Sequence, residues 1–234
     1  DAEAVTALIR AAGMPVVMGN CEESLGSGGE DCGCGFAEGS DCDIAARHWF
    51  THAAAELSEA SRAWMGGLPR IIRFRFAGRR FAAIHGGAEQ INRFIFASTP
   101  AGEKRAALAA LQVDAVIAGH CGIPFTQVLD GRLWHNPGVI GMPANDGTPR
   151  VWYSLLEADA DGGIRIRHRA LAYDHAGAAA AMRAQALPEG YAAALVSGLW
   201  PSLDILPAAE RAATGRPLDL SDTQWAAVPA RHAS

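Results

Sequence analysis

The run AVIAGHCGIPF, Ala115 to Phe125, decides how the rest of the chain is read. Its apolar half stops at Gly119-His120, the pattern of a buried strand that delivers a histidine into a loop. After a short turn at Asp130-Gly131, LWHNPGVIG from Leu133 to Gly141 adds a second strand and a tight turn at Asn136-Pro137-Gly138. Side chains that do chemistry are commonly held at such junctions, where a rigid scaffold meets a loop.

Partners for His120 come from equivalent junctions upstream. RIIRFRF and RRFAAI flank Ala77-Gly78 and predict a hairpin whose second strand stops at His85-Gly86-Gly87. MPVVM predicts a short buried strand that ends at Gly19-Asn20. Helical spacing covers residues 2–12, closed by Gly13, and residues 43–65, with Asp41 or Asp43 as the cap and Gly66-Gly67 as the stop. Another helix is expected over 100–112, opened by Ser98-Thr99-Pro100. Between the first two helices, residues 21–42 are polar and glycine-rich without periodicity, and they predict a long loop.

Downstream, VWYSLLEA and IRIRHRALAY surround Asp161-Gly162-Gly163 and predict a terminal antiparallel pair. Two helices, DHAGAAAAMRAQ and EGYAAALVSGL, follow. From Trp200 onward the chain is proline-punctuated and loosely patterned, and Trp152, Trp200 and Trp225 are placed to pack on the domain or on a partner. The expected organisation is one domain over 1–172 with a Cys/Gly-rich insertion at 21–42, and a helical extension over 173–234 packed on it.

Composition limits the function. With 234 residues, half of them hydrophobic, the chain can bury one sizeable core. A net charge of −5 gives no basic excess for a nucleic-acid partner. The local run Arg70, Arg73, Arg75, Arg79 and Arg80 reads as a solvated hairpin face or as a contact for an anionic substrate. No apolar run reaches the roughly 18 to 20 residues of a membrane helix, and Asp1-Ala2-Glu3 has no signal-peptide pattern, so a cytoplasmic protein without a membrane partner is expected. The five cysteines, Cys21, Cys32, Cys34, Cys42 and Cys121, are an odd number, four of them crowded into one glycine-rich loop, and argue against a disulfide-dense secreted scaffold, leaving metal or redox chemistry open.

Asn20, His85 and His120 thus stand at the ends of separate elements. An amide oxygen and two imidazoles are ligand types for a divalent ion such as Mn, Fe or Zn. His48 and His52 have metal-capable i, i+4 spacing but no third partner, and they read as surface or packing residues. Alternation along its strand points His135 away from Asn136.

In the order Gly19-Asn20, His85-Gly86, Gly119-His120 and Asn136-Pro137-Gly138, the chain resembles the calcineurin-like metallophosphoesterase superfamily, in particular its small prokaryotic phosphodiesterases. The resemblance covers residues 1–172. It implies an α/β (α+β) fold, a four-layer α/β/β/α sandwich, with two divalent ions at the strand ends. It places Asn20, His85 and His120 on the second metal, Cys21 and Glu22 at the catalytic position after GN, and Asn136 and Gly86 beside a small-molecule phosphoester substrate. Metal-activated hydroxide would then hydrolyse a phosphomonoester or a phosphodiester.

Three departures accompany these matches. The family's DxH and GD blocks have no counterpart, as if an N-terminal strand-helix-strand segment were missing. Gly122 stands where the family's GHxH has its second histidine, and Cys121 reads either as a substitute thiolate ligand or as a small buried residue. Cys21 stands where the family has histidine or aspartate. Two alternatives follow: a catalytically silent binding domain of the same fold, and a thiol-based redox or metal-sensing protein built on the 21–42 loop.

Overall fold

The computed structural model describes residues 1–226. Its centre is a five-stranded sheet made of β1 (Ile71–Phe76), β2 (Arg79–Ile84), β3 (Ala115–Ala118), β4 (Phe125–Leu129) and β5 (Arg132–Asn136), in the order β1-β2-β3-β5-β4. The hairpin turn forms as expected at Ala77-Gly78, where both residues have left-handed φ, and β1 pairs antiparallel with β2. Strands β2, β3 and β5 run parallel, and β4 returns antiparallel beside β5. Helix α5 (Ala101–Ala110), starting after Pro100, makes the crossover from β2 to β3.

The central strands are apolar on both faces, as strands between two layers must be. Ala82, Ile84, Val116 and Trp134 pack with Leu108 of the crossover helix and with Leu111, which caps its C-terminus, whereas Phe81, Ala115 and Leu133 face a second sheet. That sheet consists of β6 (Val151–Ala158), β7 (Ile164–Leu171) and β8 (Thr223–Trp225), in that order and antiparallel. Ile164, Ile166 and Trp225 fill the space between the sheets. The mixed α/β sandwich expected from the sequence is therefore the architecture observed. The other face of the second sheet, with Tyr153, Leu155 and Arg165, is exposed where the four-layer expectation puts helices.

Several expectations are corrected. Met14 to Met18 is not a strand: Met18 N–H donates to Pro69 O at 2.8 Å, and no ladder continues from that single bond. The 21–42 loop begins with a helix, α2 (Asn20–Ser27), stabilised where Glu22 Oε2 accepts from Gly19 N–H at 3.0 Å and ended by left-handed Gly28. The helix expected over 43–65 is two helices, α3 (Asp41–Glu56) and α4 (Glu59–Gly66). Ser40, rather than Asp41 or Asp43, caps α3. The break comes at Leu57-Ser58, where Ser58 caps α4 and Glu3, from the first helix α1 (Ala2–Ala12), accepts from Ser58 N–H at 2.9 Å.

Helices α2 and α4 cross in close contact at Gly26 and Gly66, where a Cβ on Gly26 would strike the Gly66 backbone. Leu25, Phe50, Leu57 and Met65 form the core beneath them. Beyond β7, α6 (His175–Ala184), α7 (Glu189–Ser197) and the short α8 (Ala208–Ala212) follow. The C-terminal stretch is not only helical, because β8 completes the second sheet and Trp225 Nε1 donates to Gly131 O at 2.9 Å. Of the 173–234 extension, residues 227–234 lie outside the described residues.

Candidate metal centre

Parallel pairing brings the two histidines together. In the β2–β3 register Ile84 lies opposite Ala118, so the next residues, His85 and Gly119, leave the sheet side by side, and Gly119 N–H donates to His85 O at 2.7 Å. His120 then adopts φ +59°, a left-handed conformation uncommon for a residue with a side chain. Its ring stacks on Phe94, with centroids 4.1 Å apart, and its Nδ1 lies 3.0 Å from His85 Nε2.

Asn20 reaches the same point from the first turn of α2, not from a strand end. Its Oδ1 lies 2.8 Å from His85 Nε2, and its Nδ2 donates to Cys32 O at 2.7 Å, which fixes the amide orientation. Gly19 leaves room for this arrangement, since a Cβ there would come within 3.1 Å of the His85 ring.

Burial pushes the pKa of both His85 and His120 down to about 4, and the neighbouring His85 adds to the effect on His120. The rings are therefore neutral at pH 7. A neutral His85 has at most one proton on Nε2, yet this atom faces both Asn20 Oδ1 and His120 Nδ1. Donors sharing one divalent ion at about 2.1 Å stand about 3 Å apart in octahedral and about 3.4 Å apart in tetrahedral geometry; the two distances from His85 Nε2, 2.8 and 3.0 Å, lie at the octahedral end. The donor set fits a borderline divalent ion such as Zn, Mn or Fe. Among the described residues no three His, Cys, Asp or Glu side chains form a metal cluster, and here the third donor is an amide oxygen.

The other candidate residues divide by position. Asn20, Cys21, His85, His120 and Cys121 line one cavity of about 430 Å³. Glu22 lies outside it, with its carboxylate on the Gly19 amide. Gly86 is buried and closely surrounded by the carbonyls of Ile91 and Arg93. Asn136 is fully buried: Nδ2 donates to Gly119 O and to Cys121 Sγ, both at 3.1 Å, while Oδ1 accepts from Gly138 N–H at 2.9 Å. It ties the His120 loop to the NPG turn.

The thiols of Cys21 and Cys121 are pushed up to about 12 by burial, so both stay protonated at neutral pH. Cys32 and Cys34 are joined as a disulfide, and Asn20 Nδ2 lies 3.3 Å from Cys34 Sγ. Of the arginines in the hairpin run, Arg80 pairs with Asp114 at 2.9 Å, Arg70 pairs with Glu23, Arg79 stacks on Trp225, and none lines the cavity. His52 pairs with Glu56 at 3.2 Å and His48 is exposed, both away from the cavity.

Residues from the C-terminal stretch, Tyr191, Trp200 and Ile205, form part of the cavity wall, which the loose sequence pattern there did not indicate. The signal available was Trp200 itself, a large apolar side chain beside a proline.

Comparison with known proteins agrees with the geometry. The hypothetical protein PH1004 from Pyrococcus horikoshii OT3 is 15% identical with a TM-score of 0.67, over 84% of this chain and 78% of that one. A metallophosphoesterase from Sphaerobacter thermophilus is 21% identical with a TM-score of 0.64, over 84% of this chain and 82% of that one. At these identities the likeness is one of fold. No curated protein matches the chain. The family model for the calcineurin-like phosphoesterase superfamily domain matches residues 1–161, well over half of the sequence. By its fold, its strand-end histidines and this match, the chain belongs to the calcineurin-like phosphoesterase superfamily.

Proposed function

We propose that the chain hydrolyses a small-molecule phosphoester with the help of a divalent metal ion. The observation that carries this reading is the convergence of Asn20 Oδ1, His85 Nε2 and His120 Nδ1 at one end of the cavity. The family is one of phosphoesterases and generally depends on divalent metals.

In this reading Asn20, His85 and His120 hold the ion. A bound divalent ion supplies Lewis-acid polarisation of a phosphoryl oxygen and a hydroxide at neutral pH. Burial keeps both imidazoles neutral, with lone pairs available. Phe94 fixes the His120 ring by stacking, and Asn136 and Gly86 position the two histidine loops. Cys21 presents a neutral thiol to the cavity, a weak hydrogen-bond donor rather than a nucleophile. Zn, Mn and Fe all suit the donor set. A cytoplasmic setting belongs to this proposal; among the described residues no helix is long and apolar enough to cross a membrane.

A second reading, a binding domain without turnover, is favoured by one observation: among the described residues no carboxylate lines the cavity. The two are separated by adding Mn²⁺ or Zn²⁺ to the purified chain, measuring bound metal, and following release of nitrophenol from bis(p-nitrophenyl) phosphate. Metal-dependent turnover that disappears in His85→Ala supports the phosphoesterase. Bound metal without turnover supports the binding domain, and absence of both removes the metal reading altogether.

A further inference from the structure

The cavity beside the metal-type residues has an unusual lining for an anion site. It includes Asn20, His85 and His120 at one end, and elsewhere Phe36, Phe94, Val139, Tyr191, Trp200 and Ile205. Among the described residues no Arg, Lys, Asp or Glu contributes to its wall. Its volume of about 430 Å³ is within the range of pockets that enclose small organic ligands.

Trp200 is held in this wall from both ends. Its Nε1 donates to Pro143 O at 2.7 Å and its backbone N–H donates to Asn145 Oδ1 at 2.9 Å. The indole lies against Gly122, whose φ is +71°, and a Cβ on Gly122 would stand 3.2 Å from Trp200 Cζ2. The position where the GHxH pattern has its second histidine therefore carries no side chain, and an aromatic ring occupies the adjoining space. A ring fixed before binding loses little conformational entropy when a ligand stacks on it.

Charge narrows the choice of ligand. A phosphomonoester carries close to two negative charges at pH 7, whereas a diester carries one. With no cationic side chain among the described residues of its wall, every negative charge beyond what the metal centre offsets is desolvated without compensation. Flat apolar groups, by contrast, gain from leaving water for the surfaces of Trp200 and Phe94.

We propose that this cavity selects phosphodiester monoanions bearing an aromatic substituent, with the substituent against Trp200 and the phosphoryl group facing His85 and His120. The proposal deepens the phosphoesterase reading and rests on it.

The test is calorimetric titration of the full chain, with Mn²⁺ present, against three probes: diphenyl phosphate, dimethyl phosphate and phenyl phosphate. Diphenyl phosphate should bind at least ten-fold more tightly than either of the others. In Trp200→Ala its advantage over dimethyl phosphate should shrink to about three-fold or less, in line with loss of one aromatic contact. Val139→Arg, on the half-exposed rim, gives a second measure should Trp200→Ala fail to fold: the added cation should raise the affinity for phenyl phosphate. Equal binding of dimethyl and diphenyl phosphate, or a preference of the unaltered chain for the phenyl phosphate dianion, overturns the proposal. The two readings fail separately. Hydrolysis of bis(p-nitrophenyl) phosphate without the binding preference removes the aromatic subsite and leaves the phosphoesterase. The binding preference without hydrolysis leaves the subsite and removes the phosphoesterase.

Discussion

Among the described residues there are two histidine pairs, one half-buried and one buried, and each has its ring centroids 4.9 Å apart. Their surroundings differ. In the first pair, His85 and His120 direct ring nitrogens at each other and at an amide oxygen, at the end of a cavity. In the second, His135 Nδ1 lies 2.8 Å from Thr126 Oγ1 and His168 Nε2 lies 3.0 Å from Asn136 O, and neither lines that cavity. Spacing alone does not make a site. What separates the pairs is convergence on a third donor and access to space.

The largest effect expected from this contrast is on metal binding and activity. His120→Ala should lower metal affinity, and the turnover that depends on it, by at least about 100-fold. His168→Ala should leave turnover per folded molecule within about two-fold and instead cost roughly 2 to 3 kcal/mol of stability, since Asn136 O loses its partner and a void remains. Metal titration and denaturant unfolding of both variants check this. Equal metal affinities would erase the distinction between the pairs.

Acid sharpens the comparison further. Burial lowers the His135 pKa to about 3, with the neighbouring His168 contributing, and lowers that of His168 as well. Between the unfolded histidine value of about 6.5 and the folded value, the unfolded chain binds more protons. Stability is therefore full above about pH 6.5 and falls as the pH drops toward 3. The same sign holds for His85 and His120, with folded values of about 4. In His135→Asn the slope of unfolding free energy against pH, measured between pH 6 and 4, should decrease by about 1.4 kcal/mol per pH unit, one proton's worth.

Thr126→Val has the smallest effect of the four variants. It keeps the shape, removes the hydroxyl from His135 Nδ1, and should cost roughly 1 to 2 kcal/mol of stability with no change in metal affinity.

These contrasts also show which parts of the molecule the sequence could reveal. Strand ends such as Ile84-His85 and Ala118-Gly119-His120 were legible because an apolar run that stops at glycine or histidine is a local pattern, and parallel pairing then places the two side by side. Asn20 is legible as a ligand type, but the helix that carries it is not. A glycine-rich stretch hides α2, whose start depends on Glu22 reaching back to the Gly19 amide.

The break between α3 and α4 had a local sign in Ser58, yet part of what holds it is Glu3, 55 residues away, bonding Ser58 and also Ser61. Strand β8 is three residues long and gains its place only by pairing with β7. Likewise, nothing near Trp200 in sequence indicates that its indole would lie beside Gly122. Features made by distant partners leave no periodicity in the chain.

Asn136 has a mechanical consequence. One fully buried amide clamps the loop of Gly119 and Cys121 to the turn at Gly138, and both loops border the cavity. The two walls therefore share a single degree of freedom: an excursion that widens the cavity at one must carry the other along or break the clamp. Opening there is a cooperative event, and slow exchange at the Gly138 amide is its natural gauge.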